Sequence, residues 1–156
     1  MATPDFILEL RKKVGQDLLW LTGITAVVLD DDERVLLVRR TDTGRWSLPA
    51  GILEPGEQPA LGLLREIEEE TAVESEIVRL VSIEALPPSS YPNGDQVQFL
   101  DLCFRCRPIR GEARVNDDES LEVAWYSLDD LPGLTDRELT YLANARKADE
   151  PPLFAR

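Results

Sequence analysis

Residues 51–73 read GILEPGEQPALGLLREIEEETAV, and the second half of that stretch decides how the chain folds. Pro59 suits the first position of a helix, where its missing N–H is no loss, and the pattern carries that helix to about Thr71. Ala60, Leu63, Leu64 and Ile67 recur at helical spacing and form a core-facing stripe. Glu66, Glu69 and Glu70 stand at i, i+3 and i+4 and so share a neighbouring face. Solvated, such like charges oppose helix formation by a few tenths of a kcal/mol per pair. In a semi-buried cleft they would repel by roughly 4 kcal/mol per pair at about 4 Å. A divalent cation reverses that sign, and all-oxygen donors suit Mg²⁺ or Mn²⁺, ions that in turn suit phosphate substrates. By composition alone, a plain solvated acidic face competes with this reading.

Working outward, the window Glu54–Glu76 holds eight glutamates and one base, Arg65. It carries more than half of the acidic excess of a 156-residue chain with 30 Asp plus Glu, 17 Lys plus Arg and a net charge of -13. That balance repels a phosphate backbone, so no nucleic-acid polymer is expected as a partner. Histidine is absent, which excludes Ser-His-Asp and Cys-His triads and His-ligated zinc. Leu18–Leu29, broken by Thr22, Gly23 and Thr25, is too short to span a bilayer. Met1–Asp5 lacks the basic start of a signal peptide, and two cysteines build no disulfide framework. No membrane association and a cytoplasmic location are therefore expected. Cys103 and Cys106 have CxxC spacing, but three residues apart on a strand they point to opposite faces.

The pattern predicts one domain over 1–156. A helix over residues 1–15 has Pro4 at its first position and is closed near Gly15. Strands are expected at Leu18–Leu29 and Val35–Arg39 around an Asp30–Glu33 turn, then at Ile77–Ala85, Gln96–Arg107 and Leu121–Tyr126. A last helix covers Asp136–Lys147, and residues 148–156 form a loose tail. Strands interleaved with helices give an α/β fold.

The arrangement from Gly51 resembles the signature box of the Nudix hydrolases: Gly, five residues, Glu, seven residues, Arg-Glu, an aliphatic, any residue, Glu-Glu, any residue, Gly, an aliphatic. Eight of nine specified positions agree, with Ala72 in place of the second glycine. The flanks Val35–Arg40, Trp46–Ala50 and Trp125 with Leu128–Pro132 extend the similarity to about residues 22–132. The resemblance implies an α/β/α sandwich with a mixed central sheet. It also implies hydrolysis of a nucleoside diphosphate linked to another group X, such as ADP-ribose. The alternatives are a house-cleaning nucleoside triphosphate pyrophosphatase of the MutT type and a non-catalytic nucleotide-sensing module.

By the same resemblance, Glu69, Glu70 and the Ala50 carbonyl are metal ligands, and Glu66 is a further ligand or the general base. Arg65 and Glu57 pair to orient the carboxylates, and Gly51 lets the loop approach the metal. Glu119, six residues before Trp125, is either another metal-binding or basic carboxylate or part of a solvated turn. Arg39, Arg40 and Arg45 are candidates for gripping phosphates, with at least one of them a surface residue. Trp46 and Tyr91 either stack on a base or serve the core and a hairpin turn. Ala72 falls just past the helix, where a left-handed residue is favoured and alanine costs on the order of 1 kcal/mol. The amphipathic N-terminal helix covers its own core or pairs with a second copy, and because relatives commonly dimerise, a homodimer is expected.

Overall fold

The computed structural model describes residues 3–156. Three helices, α1 (Asp5–Val14), α2 (Pro59–Thr71) and α3 (Asp136–Arg146), alternate with eight strands. The strands are β1 (Leu19–Val28), β2 (Arg34–Arg40), β3 (Trp46–Ser47), β4 (Ala50–Ile52), β5 (Glu74–Ala85), β6 (Ser89–Ser90), β7 (Gln96–Arg110) and β8 (Ser120–Ser127). A mixed sheet runs β4-β1-β7-β5, with β6 added to β7, and a second antiparallel sheet runs β3-β2-β8. An isolated bridge, Leu29↔Val35, joins β1 to β2 around the Asp30–Glu33 turn.

Alternation along β1 explains the layers. Ile24, Ala26 and Val28 face α2, where they pack with Leu63, Ile67, Phe104 and Cys106. Val27 and Leu29 face α3, where they meet Tyr141, Leu142, Ala145, Val81 and Cys103. A strand covered on both sides reads as one apolar run because neither face meets water. The two cysteines lie in opposite layers, both free and buried. Ile7 and Phe6 place α1 over Leu21, Ile52 and Val97 at the start of the sheet. The result is the α/β/α sandwich with a mixed sheet that the resemblance implied.

Four local expectations change. Pro4 is the N-cap of α1 rather than its first helical residue. β5 begins at Glu74 and β7 continues to Arg110, because the cross-strand ion pairs Glu76–Arg107 and Glu74–Arg110 prolong the ladder past the apolar residues. Three short strands, β3, β4 and β6, escaped the hydrophobic pattern because each has only two or three residues. Residues 148–156 are not loose throughout: Leu153 forms a parallel bridge with Ser82 of β5. No helix among the described residues is long and apolar enough to cross a membrane.

Candidate active site

The acidic face of α2 divides in two. Glu66 and Glu70, one turn apart, are only 7% and 5% exposed, while the Glu69 side chain is 57% exposed. Gly51 on β4 makes room for Glu66: a Cβ there would stand 2.6 Å from the Glu66 carboxyl carbon. Whatever approach to a metal the resemblance implies for Gly51, in the structure it leaves room for the carboxylate.

Arg65 links the acids. Its Nε donates to Glu57 Oε1 at 2.8 Å, and Nη1 lies 3.0 Å from Glu69 Oε2 and 3.2 Å from Glu66 Oε1. Glu57 in turn accepts from the Glu54 N–H at 3.1 Å, closing the turn that leads from β4 into α2. The guanidinium hydrogen bond holds the Glu57 carboxyl below the usual carboxylate range.

Burial works in the other direction on the remaining pair. Desolvation raises the Glu66 pKa despite the neighbouring Arg65. Desolvation and then the charge on Glu66 push Glu70 up to about 8.

Among the described residues no three acidic side chains already stand close enough to hold a metal ion. The expected convergence of Glu66, Glu69 and Glu70 is therefore partial, because Glu69 turns outward to Arg65. The donor set still fits a hard divalent cation. Its oxygens are carboxylate oxygens, and such an ion would relieve the repulsion that raises both buried groups.

The opposite wall comes from the loop before β8. Arg114 N–H donates to the Thr71 carbonyl at 3.0 Å and Asn116 Nδ2 to the Glu68 carbonyl at 3.0 Å, tying this loop to carbonyls of the last turn of α2. Asp117, Asp118 and Glu119 are thereby carried into the cleft of about 560 Å³ that Ile52, Glu54, Arg65, Glu66, Glu69 and the segment Thr3–Asp5 also line. Glu119 thus shares a cleft with Glu66 and Glu69 of α2, although it lies about fifty residues further along the chain. Ala72 adopts the left-handed conformation, φ 60° and ψ 15°, with its N–H on the Glu68 carbonyl, so α2 ends as the family glycine would end it.

The substrate candidates scatter. Arg40 lies near Glu70 and Tyr91 electrostatically, yet its guanidinium is held by Asp42 at 2.9 and 2.7 Å. Arg39 bonds the Gly44 carbonyl and Glu122 on the hairpin surface, and Arg45 is exposed. Trp46 packs edge-on against Tyr126, with ring centroids 4.9 Å apart, and belongs to the core layer under α3. Tyr91 opens the turn that Gly94 and Asp95 close, as its Pro-Asn-Gly context suggested.

Sequence reading missed Asp101. It is buried on β7, accepting from Tyr141 Oη at 2.9 Å and from Thr25 Oγ1 at 3.0 Å. The signal was an acid between Leu100 and Leu102 in the middle of a strand.

A family model described as the NUDIX domain matches residues 20–147. The chain belongs to the Nudix hydrolase family. This Nudix chain is 36% identical over 109 residues to a MutT-like protein of Streptomyces ambofaciens, a match covering 70% of this chain and 65% of that protein. It is 37% identical over 115 residues to an 8-oxo-dGDP phosphatase of Homo sapiens, covering 70% of this chain and 33% of that protein. The chain thus spans under two thirds of either relative's length. Among solved structures, an ADP-ribose pyrophosphatase from Streptococcus suis superposes with a TM-score of 0.65 at 26% identity, over 85% of this chain and 96% of that one.

Proposed function

We propose that this Nudix chain hydrolyses a phosphoanhydride bond in a nucleoside diphosphate carrying a further group, with Mg²⁺ or Mn²⁺ as cofactor. One observation carries this reading: Glu66 and Glu70 are buried together one turn apart on α2, with Glu66 lining the acidic cleft, at a charge cost that a bound cation would relieve. Bound there, a divalent ion would neutralise charge on the phosphoryl oxygens during attack by water.

Glu66, Glu69, Glu70 and the Ala50 carbonyl would hold the ion. Arg65, braced by Glu57, would steady Glu66 beside it and release Glu69 to turn inward. Proton removal from the attacking water falls to Glu66 or to Glu119 on the facing wall. Arg40, which feels the charge of Glu70, and Tyr91 beside it would meet the nucleotide.

ADP-ribose is the first substrate to test, by likeness to the Streptococcus suis enzyme. A nucleoside di- or triphosphate is the second reading, favoured by the human relative's name. A sensing module without catalysis is disfavoured, because every box carboxylate is present and Ala72 leaves the helix end intact. Product analysis with Mg²⁺ or Mn²⁺ over ADP-ribose, sugar nucleotides and nucleoside di- and triphosphates tests the proposal. Turnover that vanishes with chelator and in Glu70→Gln supports it, and saturable binding without any product would replace it with the sensing reading.

A further inference from the structure

The ladder between β5 and β7 is irregular at Val78. Ile77 pairs with Cys106, and both pack toward α2, whereas Arg79 pairs with Arg105. Regular alternation would return Arg79 to the α2 face, so the extra residue is what sets it beside Arg105 on the α3 face. Like charges directly opposite on neighbouring strands are destabilising, yet this bulge creates such a pair.

Neither charge is neutralised. Arg79 donates to main-chain carbonyls, among them Asn144 at 2.6 Å and Lys147 at 2.8 Å, and its Nε is buried without an acceptor. Arg105 is half-buried, and among the described residues its side chain meets no hydrogen-bond acceptor and no carboxylate. Both line a cleft of about 240 Å³, together with Arg107, Asp30, Asp31 and Asp149. Arg107 is held by Glu76, and Asp30 by Arg34 at 2.8 Å. Two cationic side chains without an anion therefore face two exposed carboxylates, Asp31 and Asp149. The cleft lies across the sheet from Glu66: Leu29 and Asp30 follow the end of β1, whereas Ile52 of the acidic cleft pairs with Gly23.

We propose that this second cleft binds a single hydrogen phosphate ion, apart from the acidic cleft. Arg105 supplies charge-assisted donors to a tetrahedral oxyanion and Arg79 a second positive charge, so the anion turns their repulsion into attraction. Near neutral pH phosphate keeps a proton and sulfate keeps none. Asp31 and Asp149, acceptors only, take a hydrogen bond from the first and repel the second. No aromatic side chain lines the cleft to stack a nucleobase, which favours the free ion over a nucleotide.

Calorimetric titration of the chain with orthophosphate tests this, with chelator present and ionic strength held constant with chloride. Saturable binding is expected, and sulfate should bind about tenfold more weakly or worse. Arg105→Gln should lose about tenfold or more in phosphate affinity, while Glu70→Gln binds phosphate as the wild type does. In the wild type the Val78 and Arg105 amide resonances should move with the same saturation, a readout that needs no variant. Four results each overturn the proposal: no saturable phosphate binding, equal affinity for sulfate, equal phosphate affinity in Arg105→Gln, or Val78 and Arg105 amides that stay still. Loss of phosphate binding in Glu70→Gln would also overturn it, by placing the anion in the acidic cleft.

Discussion

Gly51 lies against the Glu66 carboxyl so closely that a Cβ at 51 would come within 2.6 Å of it. β4 and α2 therefore share a space that only glycine leaves open, and an added methyl must displace Glu66. Gly51→Ala should weaken Mg²⁺ binding by about 10–100-fold, as loss of an orienting neighbour commonly does. Calorimetric titration checks this, and unchanged affinity would show that Glu66 has another place to go.

Ala72 holds a left-handed backbone that glycine adopts freely. Ala72→Gly should stabilise the protein by about 1 kcal/mol, raising Tm by about 2–4 °C, with turnover unchanged. Urea unfolding measures the first part. A loss of stability would contradict the strain at this position.

Arg65 touches Glu57, Glu66 and Glu69 through one planar fork. Lysine keeps the charge but cannot span three acids, so Arg65→Lys should lower kcat by on the order of tenfold or more while the circular dichroism spectrum stays the same. Wild-type kcat in that variant would reduce Arg65 to a surface charge.

Asp101 gives a pH signature. Burial raises its folded pKa above 3.8, with the bonds from Tyr141 and Thr25 opposing. A raised folded pKa contributes stability that is complete below the unfolded value and is lost as pH rises through the folded one. Asp101→Asn, which cannot ionise, should therefore gain on the wild type as pH rises from about 4 toward neutrality. Chemical denaturation across that range checks the trend, and a constant difference would show that Asp101 ionises as it does in the unfolded chain.

What the sequence revealed was local. The spacing of Glu66, Glu69 and Glu70 fixed which helix carries the acids, and Pro59 and Ala72 marked its two ends. It could not show that Glu69 would turn outward to Arg65, since that depends on how deeply α2 sits against Gly51. Trp46 looked equally fit for a base or for the core, and its edge-on contact with Tyr126, eighty residues away, exists only in the folded chain. The contact between Asp101 and Tyr141, forty residues apart, and the seat of Leu153 on β5 both depend on the completed sheet. The charged ends of β5 and β7 read as loop because their pairing is ionic.

The central claim is that the buried Glu66 and Glu70 carboxyls are held ready for a cation. Glu70, raised to about 8 without metal, is largely protonated near pH 7, so an ion binding there must displace its proton. Calorimetric Mg²⁺ titration near pH 7, in buffers of different ionisation enthalpy, measures that proton directly. The prediction is proton release on binding, tighter binding as pH approaches about 8, and neither in Glu70→Gln. Binding without proton release, or equal binding in Glu70→Gln, would contradict it.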